Sequence, residues 1–108
     1  MLPQVVTQDA DSVWISPGKG EWLVGFDALE QAMQAQNAAL DDIQIQMSDE
    51  TIHISPSGDM VWATNQWVFN ARLGDQTLAM PLCCTWILEK RAGQWVIVHF
   101  HKSAGMPA

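Results

Sequence analysis

Hydrophobic and polar positions change period along this chain, and the change divides it into one helix and a run of strands. Leu29, Ala32, Met33, Gln36 and Leu40 recur at helical spacing, which gives a single largely apolar stripe to pack on something. Asp27 and Glu30 have the spacing of a capping box, with Asp in the place of Ser or Thr. Gly25 precedes them and Asp41-Asp42 marks the exit, so the helix is predicted between these signals. Upstream, Ser12 to Ile15 reads as a short strand, stopped by the turn-rich Ser16-Pro17-Gly18-Lys19-Gly20.

After the helix the period falls to two. Ile43, Ile45 and Met47 alternate with Gln44, Gln46 and Ser48, and the strand runs on through Ile52 and Ile54. Pro56-Ser57-Gly58-Asp59 turns it, Met60 to Arg72 is the next strand, and Gly74-Asp75 turns again. Thr77 to Lys90 follows, and Ala92-Gly93 leads into Gln94–Lys102. Strands joined by turns this short pair antiparallel. The expected fold class is α+β: a four-stranded meander plus the short N-terminal strand, curved around one main helix in a single domain, residues 1–108.

The last strands break the simple alternation. One parity carries Leu82, Cys84, Trp86, Leu88, Val96, Val98 and Phe100, the other Cys83, Ile87, Trp95 and Ile97, while Trp67 and Phe69 stand opposite Trp62 and Val68. One helix covers one face of a sheet, and a large bare apolar patch is uncommon on a soluble monomer. The pattern therefore predicts that a second copy of the chain, most simply in a homodimer, covers Trp67, Phe69, Ile87, Trp95 and Ile97.

Composition narrows the partners. A formal charge of −7 with five Lys and Arg is unsuited to nucleic acid or to anionic membranes. No apolar run approaches the roughly 20 residues that a membrane span needs. Met1-Leu2-Pro3-Gln4 lacks the basic start and apolar centre of a secretory signal, so a cytoplasmic setting is expected. Cys83 and Cys84 are adjacent, and successive side chains in a strand point to opposite faces, so they are read as two packing thiols. Six Trp with no Tyr leaves an unusual number of large rings to bury or to expose.

The chain from about Trp14 to Pro107 resembles the nuclear transport factor 2-like superfamily, in particular SnoaL-like proteins and the association domain of calcium/calmodulin-dependent kinase II. The resemblance rests on Gly25 leading the Asp27 helix, Gly58-Asp59 before the second long strand, and Thr85 with Gly93-x-Trp95 in the last hairpin. Val98-His99-Phe100-His101-x-Ser103 and the trailing Ala104-Gly105-Met106-Pro107 complete it. It implies a cone-like fold whose curved sheet wraps a helix and encloses a pocket, with the opposite sheet face available for assembly. Members normally begin with a long helix and a shorter one; only about a dozen residues precede Trp14 here, so the expectation is a missing or shortened helix, with Met1-Leu2-Pro3 as its remnant, or a start that lies upstream. The association domain's basic pocket residues align with Val68, Trp86 and Lys102, so Lys102 alone keeps a positive charge. The expected pocket, lined by Trp14, Trp62, Thr64, Gln66, Trp86, Phe100 and Lys102 together with Val68 and Cys84, suits a mostly apolar or weakly polar small molecule.

Candidate chemistry is sparse. His99 and His101 lie two apart on one strand and project to one face, but nothing in the spacing selects a third metal ligand among His53, Asp49 and Glu50, so no metal is assigned. Ser103 beside His101 lacks an acidic orienter. SnoaL-like enzymes handle enolisable substrates by acid–base catalysis, and Asp9, Asp11 and Glu21 lie near the first strand, where a pocket mouth or plain solvent are the two readings. Trp14, Trp22, Trp62 and Trp86 are candidates to stack on a flat ligand or simply to fill volume, and Met33, Met47 and Met60 read as gap-fillers. No nucleotide loop or phosphate cradle is present, so no cofactor is expected. A small-molecule-binding oligomer is the first reading. An acid–base isomerase, cyclase or dehydratase and a purely structural association module are the alternatives.

Overall fold

The structure, a computed structural model, describes residues 6–18 and 21–104. The readings placed on Met1-Leu2-Pro3-Gln4, on Lys19-Gly20 and on Gly105-Met106-Pro107 fall outside those residues. Strand β1 spans Val13–Ile15, β2 Trp22–Val24, helix α1 Phe26–Ala39, β3 Asp41–Ile54, β4 Met60–Leu73, β5 Gln76–Arg91 and β6 Gln94–Ala104. They form one curved six-stranded sheet in the order β2-β1-β6-β5-β4-β3 with a single helix, an α+β architecture. The meander, the first short strand and the main helix follow the sequence pattern. The pattern missed β2, whose three residues Trp22–Val24 are too few to show a period.

Helix α1 starts two residues earlier than the capping box suggests. Gly25 is the cap, with φ 89° and ψ 159° and no side-chain cap hydrogen bond, so Asp27 sits inside the first turn. There its carboxylate complements the positive end of the helix rather than accepting from it as a cap. The Gly25 conformation belongs to a region essentially reserved for glycine, and an added Cβ would lie 3.2 Å from the Ala10 carbonyl oxygen. Gly25→Ala is expected to lower stability by about 1–3 kcal/mol in urea unfolding. A loss below about 0.5 kcal/mol would show that the cap tolerates a side chain.

Turn length and bulges decide which residues share a face. The two-residue turn Gly74-Asp75 pairs Leu73 with Gln76, so odd-numbered residues of β4 stand beside even-numbered residues of β5: Trp67 with Leu82, Phe69 with Met80, Ala63 with Trp86. The β5–β6 pairing begins in the same sense, Leu88 with Ile97, then shifts at an irregularity so that Ile87 meets His99 and Trp86 meets Phe100. The extra residue, Val98, puts Ile97 and Phe100 on one face although their numbers differ by three. Further register shifts in β3, at Asp41/Gln44 and Ser48/Thr51, accompany positive φ at Asp42 and Asp49. Such bulges bend a strand and increase its twist, which suits a curved sheet.

The buried core is small and lies at the β1–β6 end. Val6, Trp14, Leu29 and Phe100 form it, with Leu23, Phe26, Trp86 and Ile97 packed around. Trp14 is fully buried, its indole N–H donates to Ser12 Oγ at 3.1 Å, and its ring lies 5.1 Å from that of Phe100. At the other end the sheet runs out past the helix. Met47, Ile52 and Ile54 share the face of Trp67 and Ala63 yet remain exposed, Ile54 at 64%.

Candidate functional site

Between α1 and the concave face of the sheet lies a cavity of about 360 Å³. From the sheet it is walled by Trp67, Leu82, Trp86, Ile97, Phe100 and Lys102, and from the helix by Leu29, Ala32, Met33 and Gln36. The helix contributes the predicted stripe, so that signal was about this cavity. Trp67 and Trp86 are neighbours on β4 and β5, with ring centres 5.5 Å apart, and Trp86 stands 5.5 Å from Phe100.

Lys102 is the cation of this apolar wall. It enters from β6 beside Cys84, and its ammonium lies 4.4 Å from the Trp67 ring centre, 4.5 Å from Phe100 and 5.3 Å from Trp86. The ion pairs among the described residues belong to Arg72 and Arg91 and leave Lys102 out. Burial holds the Lys102 pKa below the usual lysine value, and the nearby Cys84 and Glu21 offset this only in part. Burial likewise raises the Cys84 thiol, against the pull of Lys102.

A second polar atom in this wall lacks a partner. The Trp86 indole N–H donates to Asn65 Oδ1 at 3.2 Å, whereas Trp67 Nε1 is buried without a hydrogen-bond acceptor among the described residues. Native interiors rarely leave such a donor unpaired, because it forgoes about 1–3 kcal/mol.

Of the expected pocket residues, Trp86, Phe100 and Lys102 line the cavity. Trp14 does not: it lies in the core, packed against Phe100. Trp62, Thr64, Gln66 and Val68 are corrected to the opposite face, because the odd-to-even pairing across Gly74-Asp75 turns them away from Trp86. There Thr64, Gln66, Cys83, Thr85, His101 and Ser103 edge a shallow polar depression. The same correction moves Trp67 and Phe69 from the expected interface into the cavity wall, and the two-residue turn Ala92-Gly93, which pairs Leu88 with Ile97, moves Ile97 with them. Ile87 stays on the outer face beside Trp62. Trp95 pairs with Lys90 near the last turn and is 40% exposed.

The histidines separate. His99 Nδ1–H donates to the Val13 carbonyl at 2.6 Å, tying β6 to β1, while His101 is exposed and His53 stacks on Trp62 at 5.3 Å. Among the described residues no three His, Cys, Asp or Glu side chains gather as a metal site would require. Asp9 is engaged by Arg91 at 2.9 Å, and that hydrogen bond holds its carboxyl below the usual range. Asp11 is exposed, and Glu21 alone of the three carboxylates lines the cavity.

A SnoaL-like domain model matches residues 2–108, and the chain belongs to that family. No curated protein sequence matches the chain. Solved structures share the fold at low identity. An NTF2-like superfamily protein from Salmonella enterica superposes with a TM-score of 0.84 at 19% identity, covering 98% of this chain and 76% of that one. A candidate calcium/calmodulin-dependent protein kinase II association domain from Xanthomonas campestris gives 0.79 at 17%, covering 93% and 70%. A candidate dehydratase of the NTF2-like family from Streptomyces avermitilis gives 0.78 at 17%, covering 89% and 67%. No helix among the described residues is long and apolar enough to cross a membrane.

Proposed function

We propose that this chain is a small-molecule-binding domain whose concave cavity takes a mostly apolar ligand, and that it works as a homodimer. The cavity carries the reading: about 360 Å³ of space walled by two tryptophans, a phenylalanine and aliphatic side chains falls in the size range of ligand sites. A purely structural module would fill that space with its own side chains. The acid–base enzyme reading keeps one supporting observation, Glu21 at the wall of the same cavity.

The apolar surface still exposed argues for the second copy. Once Trp67, Phe69 and Ile97 are assigned to the cavity, the outer face retains Trp62, Val68 and Ile87, and Met47, Ile52 and Ile54 stay bare along β3, an edge strand. Light scattering on a size-exclusion column is expected to report a dimer at micromolar concentration, and a monodisperse monomer would refute that part. Flat apolar compounds are expected to raise the melting temperature and to quench tryptophan fluorescence, because binding to the folded state stabilises it. A panel of such compounds that moves neither signal would refute the ligand reading.

A further inference from the structure

We propose that Lys102 is a nucleophilic amine that captures an aldehyde or ketone carried on an apolar body, holding it in the cavity as an imine. The proposal rests on the ligand-binding reading above and names the reactive group of the ligand.

The geometry isolates the amine. Lys102 Nζ stands among the faces of Trp67, Phe100 and Trp86, and neither ion pairs nor side-chain hydrogen bonds among the described residues engage it. A lysine kept for its charge is normally matched by a carboxylate when buried. Glu21 lines the same cavity but forms no ion pair with Lys102 and offsets its burial only in part, so desolvation favours the neutral amine, which is how an apolar pocket activates lysine towards carbonyl groups. The aromatic faces attract the ammonium and offset part of that effect. Against the charges of Cys84 and Glu21, burial prevails and holds the Lys102 pKa below the ordinary lysine value.

The rest of the wall suits a carbonyl compound. Leu82, Ile97 and the rings of Trp86 and Phe100 offer apolar contact for the remainder of the molecule. Glu21 lines the same cavity and is an acid able to exchange the protons that the reaction moves.

The step balances without an oxidant or reductant. The Nζ lone pair bonds to the carbonyl carbon, and the carbonyl π pair moves onto oxygen, which takes a proton. Nitrogen then loses its protons as the C–O bond breaks, so one water leaves and a C=N bond remains.

The test uses the full chain, naphthaldehyde and cyanoborohydride near neutral pH, with intact mass and peptide mapping. Reduction of the imine fixes the adduct as a secondary amine. Lys102 is expected to carry several-fold more adduct than Lys90 or Lys19, and Lys102→Met is expected to lose it. Lys102→Arg keeps the positive charge and is expected to lose it too, which covers the case in which the Met variant fails to fold. Naphthylmethanol, which has no carbonyl, is expected to compete and to quench tryptophan fluorescence.

Adducts spread evenly over the lysines, or concentrated on Lys90, would overturn the proposal. Quenching by naphthylmethanol or naphthoate with no Lys102 adduct would overturn the imine and leave the ligand cavity standing. Failure of every probe to bind would remove both.

Discussion

Replacing Trp14 by alanine is expected to remove about 3–5 kcal/mol of stability, the range for large buried aromatic side chains. Few other residues in the molecule hold so much together. Trp14 sits on three-residue β1, which by itself has too few ladder bonds to persist. β1 is held by its pairing to β6 at Trp14–Phe100 and Ile15–His101, by the His99–Val13 hydrogen bond, and by the buried indole. Truncation empties the centre of the core cluster that Trp14 forms, among the described residues, with Val6, Leu29 and Phe100.

A domain of this size has about 5–15 kcal/mol to lose in total, so the variant is expected to unfold near or below physiological temperature. Urea unfolding followed by circular dichroism measures the loss. Trp22→Ala is the matched control, because Trp22 is 64% exposed and its removal is expected to stay within about 0.5 kcal/mol. Equal losses at the two sites would mean that the core is not where the structure puts it.

The sequence was readable at the level of elements and misleading at the level of faces, for identifiable reasons. The α1 stripe and the period-two run of β3 are long enough to average over single residues, and both appear as expected. Face assignment depends on register, where one residue is decisive. The two-residue turn Gly74-Asp75 was visible and already required odd β4 residues to pair with even β5 residues. That pairing sets Trp67 rather than Trp62 beside the cavity.

The bulge at Val98 was not visible, since nothing in Trp95-Val96-Ile97-Val98-His99-Phe100 marks one valine as unpaired. Trp86 and Phe100 were placed together correctly because two unrecognised shifts, one at the Ala92-Gly93 turn and one at the bulge, cancel between them. Lys102 was found through its alignment with a basic position of related pockets. Its isolation among Trp67, Trp86 and Phe100 is a property of three strands in register and has no signature along the chain. The outer face turns out richer in hydroxyl and amide groups than its tryptophans suggested, with Thr51, Thr64 and Thr85 in one cross-strand row ending at His101.

Lys102 also makes stability depend on pH in a way that its neighbours do not share. Its folded-state pKa lies below the ordinary value of 10.5, so between those two values the unfolded chain binds more protons than the folded one. Stability therefore rises with pH across that window, and below it the full penalty of burying the ammonium is present. The amplitude is about 1.4 kcal/mol for each unit by which the pKa is depressed.

Cys84 works in the opposite sense. Its raised folded pKa makes the folded state hold its proton longer, so its contribution declines once the pH climbs past the unfolded thiol value. Comparison with Lys102→Met separates the two, because the variant keeps Cys84 and places an apolar, polarizable side chain among the same rings. The variant is expected to be more stable than the wild type near neutral pH, with the gap closing as the pH approaches 10.5. Urea midpoints measured from pH 7 to 11 give the difference curve, with Cys83 and Cys84 kept reduced throughout. A gap that stays constant over the whole range would mean that the Lys102 ammonium is as well solvated in the folded protein as in the unfolded chain. The caged, unpaired amine on which the imine depends would then not exist.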